Sequence, residues 1–365
     1  MIRTKIPGLI CGAVLCGILV AGLAPFGRPR NGVTWLEDRN GLHFANYATI
    51  LSSGAFQAPA GPEEPACSIE IWLQPGSTTA ASALVSFSTP ENPLQLVVHQ
   101  YHSTLIVKRQ PPDDPHRTET IGVDGVFRQI KPVFASLTSG AQKTSMYVNG
   151  SLAESFPRSR FGRDCAGKLV VGTSPIRNER WSGQLLGLAI FRRELTPEQV
   201  LHHFETWTTG GRPELAENEG AVAEYLFDER AGNTVHNAIP SGIDLHIPEH
   251  YSLLHQAFLE AFWKEYKPVR SYWEDVAENI IGFLPLGFFF CAYWSSVRPI
   301  KHPVLTTVVL GFAVSLTIEV IQGFIPVRSS GTTDLFTNTL GTFLGVRLYA
   351  TKTARDLLAR FFFAR

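Results

Sequence analysis

Four apolar runs constrain this chain more than any other feature: Ile6–Leu23, Val276–Ser295, Pro303–Ile325 and Leu335–Ala350. Crossing about 30 Å of hydrocarbon takes roughly 20 predominantly apolar residues in a helix. The first three runs reach that length. The fourth is short and needs local bilayer thinning or a polar entry turn. Tyr272-Trp273 and Tyr293-Trp294 bracket the second run, a spacing that suits two interfacial aromatic belts. The chain reads as a multi-pass membrane protein with about four transmembrane helices. Its charge is balanced, 32 basic residues against 32 acidic, so composition points away from nucleic acid as a partner.

The first run follows a basic start, MIRTK, and ends in AGLA, so it reads as a cleaved signal peptide or as an uncleaved anchor. Pro25, directly after the small residues, favours the anchor. Between the first and second runs the pattern changes. Short apolar stretches such as SIEIWLQPG, ALVSFS, TSMYVNGSL and GQLLGLAIFRREL alternate with turn residues, as in an antiparallel sandwich. A helix is expected over TPEQVLHHFETW, with Thr196 as N-cap, and an exposed linker over Thr208–Gly220. Glu70, between Ile69 and Ile71, is expected on the outer face of its strand. Cys67 and Cys165 each open a strand-like stretch and are candidates for a disulfide outside the cytoplasm. The expected division is 1–30 anchor, 31–248 sandwich, 249–274 connector, 275–350 membrane helices and 351–365 basic cytoplasmic tail.

Alternating spans put both termini on one side. That side carries eight basic residues near the membrane against six on the other, which favours a cytoplasmic tail and an extracytoplasmic sandwich. This orientation gathers polar residues at the outer ends of the last three spans. Asp275 and Asn279 are four apart on one helical face, Glu319 and Gln322 lie in the last two turns of the third run, and Asp334 and Asn338 are again four apart. Arg328 lies in the loop between and is the expected charge partner of Glu319 or Asp334. A carboxylate inside a membrane normally faces a partner or a cavity, so these seven residues are expected to form one polar pocket. The same spacings also suit hydrogen bonds that merely tie helix ends together. Gly341 and Gly345, like Gly8 and Gly12, have the small-xxx-small spacing of close helix packing, and Pro285 is expected to kink the second span.

The stretches DVAENIIGFLPLGF and SLTIEVIQGFIPVRSSGTTDLFTNTLGTFLG closely resemble the VanZ-like integral membrane family, named for a protein linked to resistance to the glycopeptide antibiotic teicoplanin. The matching positions are Asp275, Asn279, Phe283, Pro285 and Gly287, then Glu319, Gln322, Arg328, Asp334, Asn338, Gly341 and Gly345. The resemblance covers Trp273 to about Ala350 and implies a site pattern rather than a reaction.

The preceding region is similar to the laminin-G and concanavalin A-like jelly rolls, on NGLHFANYATI, SIEIWLQPG, SMYVNGSL and LVVGTS followed by WSGQLLGLAIFRRELTPEQV. AEYLFDERAGNTVHNAIPSG resembles a strand that normally opens such domains. Here it comes late, as a permuted last strand or as a fragment of a second unit. The resemblance implies glycan binding, often with calcium. No calcium ligands stand out, Asp113-Asp114 being a weak candidate, and no other cofactor or catalytic motif is recognisable.

The leading expectation is a cell-envelope protein in the inner or plasma membrane, displaying an extracytoplasmic jelly roll that binds glycan or a surface partner. The alternative is a membrane-surface enzyme acting on a lipid-linked glycan or lipid headgroup through Glu319, Arg328 and Asp334. The partners implied are the lipid bilayer and an envelope glycan.

Overall fold

A computed structural model describes residues 6–58, 65–111, 114, 117–210, 215, 219–266 and 268–358. The chain divides into two compact units, Pro29–His255 and a second formed by Met1–Arg28 with Gln256–Arg365.

Pro29–His255 is a sandwich of two antiparallel sheets. One contains β1 (Val33–Trp35), β2 (Leu42–Phe44), β13 (Gly183–Phe191), β4 (Cys67–Pro75), β9 (Val133–Ser139), β10 (Thr144–Val148) and β11 (Ser151–Phe156), in that order, and β14 (Ala221–Tyr225) also pairs with β13. The other runs β15 (Thr234–Val235), β16 (Leu245–His246), β3 (Ile50–Phe56), β12 (Gly167–Val171), β5 (Ala81–Ser88), β6 (Leu96–Tyr101), β7 (Thr104–Arg109), β8 (Glu119–Val123). The late stretch Ala223–Gly242 thus supplies β14 and β15 to this one sandwich. At the tip of the β10–β11 hairpin Asn149 and Gly150 have φ of 50° and 76°, the pair of positive values a type I′ turn requires.

Along β4 the alternation of side chains is plain. Cys67, Ile69, Ile71 and Leu73 point into the core between the sheets, while Glu70 and Trp72 take the opposite face. That face is nevertheless covered. Helix α2 (Pro197–Gly210) lies over it, with Val200 and Trp207 packed on Phe134, Tyr147, Ala189 and Phe191. A reciprocal capping box starts α2: Gln199 N donates to Thr196 Oγ1 at 3.3 Å and Thr196 N to Gln199 Oε1 at 2.9 Å. The helix runs to Gly210, so Thr208–Gly210, expected in a linker, are helical; most of the remaining linker lies outside the described residues. Gly187 of β13 makes the contact possible, because a Cβ there would stand 1.4 Å from the Trp207 ring. Cys67 and Cys165 are disulfide-bonded, with Cα atoms 6.4 Å apart.

The other unit is helical: α1 (Ile6–Leu23), the short α3 (Phe262–Glu265), α4 (Arg270–Ala292) extended by a π-helical turn to Val297, α5 (Pro303–Gln322), α6 (Thr332–Ala350) and α7 (Lys352–Leu358). Among the described residues, three helices are long and apolar enough to cross a membrane: α1, α4 with its π turn, and α5. The helix α4 continues through Pro285 and starts at Arg270, six residues before the apolar run.

Phe283, Leu286, Val314 and Ile318 form the core of this unit, against the flank of α1. Where α4 meets α6 the backbones nearly touch. A Cβ on Gly341 would be 2.2 Å from the Ile280 carbonyl oxygen, and one on Gly345 2.1 Å from that of Leu284. This is the close packing expected of small residues. Gly12, by contrast, has nothing within 4 Å of its Cβ position and Gly8 meets only Tyr293, so the same spacing in α1 makes no seam.

Candidate functional site

The polar residues at the ends of α4, α5 and α6 fall into three hydrogen-bonded groups. Asn279 Nδ2 donates to Asp334 Oδ1 at 2.8 Å, and Asp275, exposed one turn earlier on α4, is within electrostatic reach of Asp334. Glu319, 1% exposed, accepts a 2.8 Å bond from Gly331 N at Oε2, while Ser330 Oγ donates at 2.8 Å to its backbone carbonyl. These bonds fold the α5–α6 loop back onto the end of α5. One turn deeper, Asn338 Nδ2 donates to Ser315 Oγ at 3.0 Å. Oδ1 of Asn338 and Oγ1 of Thr333 are buried without a protein partner.

Two of the seven expected residues stand elsewhere. Gln322 Nε2 donates to the carbonyl of Gly22 at 2.7 Å, and the Arg328 guanidinium donates to the carbonyl of Ala24. Arg328 forms no ion pair with Glu319 or Asp334. The expected charge partnership is therefore corrected. The last carbonyls of a helix lack intrahelical donors, and the C-terminus carries partial negative charge. Arg328 and Gln322 answer both needs for α1, 300 residues away in sequence.

A carboxylate that sequence reasoning passed over takes the place nearest the site. Glu265, at the end of α3, accepts a 2.9 Å bond from Thr333 N and lies against Gly331, where a Cβ would collide with its carboxylate. Glu265 is in electrostatic reach of both Glu319 and Asp334. The site is therefore acidic, built of Glu265, Asp275, Glu319 and Asp334 with the amides of Asn279 and Asn338. Only the position of Glu265 beside a membrane-entry turn could have marked it.

The sandwich holds a second buried polar cluster. Glu70 is on the outer face, as expected, yet 0% exposed because α2 covers it. His203 of α2 places Nδ1 3.0 Å from Glu70 Oε2 and Nε2 3.2 Å from Glu219 Oε2. Ser136 Oγ donates to the other Glu70 oxygen at 3.1 Å. Both ring nitrogens face carboxyl groups; with these ionised they only accept, so both nitrogens then carry protons and the ring is an imidazolium. Burial opposes that charge, but the bond and charge of Glu70 and the charge of Glu219 outweigh it and raise the His203 pKa above the ordinary histidine value. Burial also raises the Glu70 carboxyl, against bonds from His203 and Ser136. Trp181 and Trp207 are each 1% exposed, so neither offers a ring face to a sugar. Asp113 lies outside the described residues, among which no group of three acidic, His or Cys side chains is arranged to hold a metal.

Residues 52–201 match the family model of the concanavalin A-like lectin/glucanases superfamily, and residues 226–354 match that of VanZ/LLP1. The second match begins in the last strands of the sandwich, well ahead of the resemblance read from Trp273 onward. A comparison with curated proteins returns no match.

Among solved structures the chain is similar to a Bacteroides ovatus protein described provisionally as carbohydrate-binding, at 13% identity and TM-score 0.40, covering 60% of this chain and 63% of that one. It is similar to the binding domain of botulinum neurotoxin DC in complex with rat synaptotagmin II, at 13% identity and TM-score 0.36, covering 48% and 46%. A heptameric SAP-like pentraxin from Limulus polyphemus is similar at 17% identity and TM-score 0.34, covering 60% of this chain and all of that one. The chain spans less than two thirds of the length of the first two. In this chain a concanavalin A-like sandwich is followed by a VanZ-like helical region.

Proposed function

We propose that this is a membrane-anchored binding protein of the cell envelope, whose sandwich faces away from the cytoplasm and binds glycan. One observation carries the reading: a single chain joins a sandwich of the lectin/glucanase class to helices long enough and apolar enough to cross a bilayer. The Cys67–Cys165 disulfide supports the extracytoplasmic side, since such bonds persist in oxidising compartments. The test is a glycan array probed with the full-length protein in detergent. Retention of a defined glycan class supports the reading, and uniform failure to bind refutes it. A cysteine introduced at Asn149 should be labelled by an impermeant reagent in intact cells. Labelling only after lysis inverts the orientation.

A second reading, catalysis on a lipid-linked glycan or lipid headgroup, is favoured by the buried Asn338 and Thr333 oxygens without protein partners beside Glu319 and Asp334. With Arg328 engaged at the end of α1, such a site would select hydrogen-bond donors or a cationic group rather than a phosphate. Calcium in the sandwich remains part of the glycan proposal, to be tested by repeating the array with a chelator.

A further inference from the structure

We propose that the segment leading into α4 is an interfacial collar, which seats in the phospholipid headgroup layer and holds one wall of the acidic site at that depth. The inference goes beyond the glycan and catalytic readings and rests on the membrane placement of α4 and α5.

Phe258, Phe262, Trp263 and Tyr266 of this segment are between 49% and 68% exposed, as are Phe324 just after α5 and Phe336 in the second turn of α6. Large exposed aromatics cost hydration free energy unless something covers them. They pack in two groups, Phe258 with Phe324 and Phe262 with Trp263 and Phe336. The ring centroids of Phe258 and Phe324 are 6.0 Å apart, those of Phe262 and Phe336 6.1 Å, and those of Phe262 and Trp263 4.9 Å. The aromatics of the collar thus lie level with the end of α5, where that span would leave hydrocarbon for headgroups, and with the start of α6. Exposed Lys264 and Arg270 interleave with them, the mixture of amphipathic rings and cations favoured in that layer.

The backbone is prepared for such a depth. Non-helical chain is tolerated near hydrocarbon only when its polar groups are satisfied. Glu260 N donates to the Ser330 carbonyl at 2.9 Å, and the Glu260 carbonyl accepts from Thr332 N at 2.8 Å and from Thr332 Oγ1 at 3.0 Å. Leu259 N donates to Ser330 Oγ at 3.2 Å. These bonds strap the collar to the α5–α6 loop. Five residues on, the strap delivers Glu265 to Thr333 N. A lipid seat for Phe262 and Trp263 therefore fixes the carboxylate beside them.

The test is quenching of a fluorophore on single cysteines in the full chain, with the free Cys11, Cys16 and Cys291 replaced by alanine and the protein reconstituted in phosphatidylcholine vesicles. W263C and, as a second position, F258C should lose most of their emission to lipids brominated near the headgroup and little to aqueous iodide. L152C, on exposed β11 of the sandwich, should do the reverse. V309C on the exposed face of α5 reports membrane insertion itself. If V309C is not quenched by brominated lipid, the membrane placement fails and the collar with it. If V309C is quenched but W263C and F258C respond to iodide like L152C, the collar alone is overturned. Silence of both toward either quencher would mean that protein, such as a second copy, covers the aromatics, and would also overturn the proposal.

Discussion

Replacing His203 with phenylalanine keeps a ring against Phe191, on which the imidazole stacks at 5.5 Å, but removes two protons from between two carboxylates. Glu219 is at the margin of the cluster and retains Gln199 Nε2 at 3.2 Å. Glu70, fully buried, keeps only Ser136. Removing one partner of a buried ion pair costs about 3–5 kcal/mol. An independent bound agrees: holding a carboxyl neutral at pH 7 against an unfolded pKa of about 4.3 costs about 3.7 kcal/mol, at about 1.36 kcal/mol per pH unit. The assay is denaturant unfolding of Pro29–His255, followed by tryptophan fluorescence.

The sign with pH follows from the raised pKa values. His203 and Glu70 both bind protons more tightly folded than unfolded, so their contribution is full at low pH and is lost as pH rises through the folded values. In His203→Phe the deficit should shrink from pH 7 toward pH 4.5, where Glu70 takes a proton at little cost. Glu70→Leu combined with His203→Phe should recover most of the loss, since no unpaired charge remains. A His203→Phe deficit below about 1 kcal/mol at pH 7, well under the cost of a broken buried pair, would refute the imidazolium clasp. So would a double variant no better than the single one.

Cys67→Ser opens a link between residues 98 apart and should cost the sandwich about 2–5 kcal/mol, read as a lower denaturant midpoint that reductant reproduces in the parent protein. Gly341→Val forces a side chain onto the Ile280 carbonyl; overpacking of about 1–3 kcal/mol or more should lower the melting temperature of the full-length protein in detergent, whereas Gly12→Val should not. Arg328→Ala leaves the Ala24 carbonyl without its donor, a loss of about 1–3 kcal/mol. It should expose the chain after α1 to protease, while Arg298→Ala does not.

What the sequence determined by itself is whatever physics confines to a few neighbouring residues. The apolar runs specify spanning helices because hydrocarbon thickness fixes their length. Thr196-x-x-Gln199 starts α2 and Asn149-Gly150 turns the β10–β11 hairpin, each through bonds or dihedrals contained in the motif. Asn279, Asp334 and Asn338 were legible as facing positions because helical spacing puts residues four apart on one side.

Partners distant in the chain were settled only by the tertiary structure. Glu70 reads as an outward residue by strand alternation, and it is one; its burial depends on a helix that begins more than 120 residues later and on Gly187 leaving room for Trp207. Arg328 had carboxylates close in sequence, yet the unsatisfied carbonyl end of α1 is its partner, because a helix terminus offers both acceptors and negative potential. Glu265 belongs to the acidic site only because the collar pairs with the α5–α6 loop through backbone groups, and any sequence presents those equally.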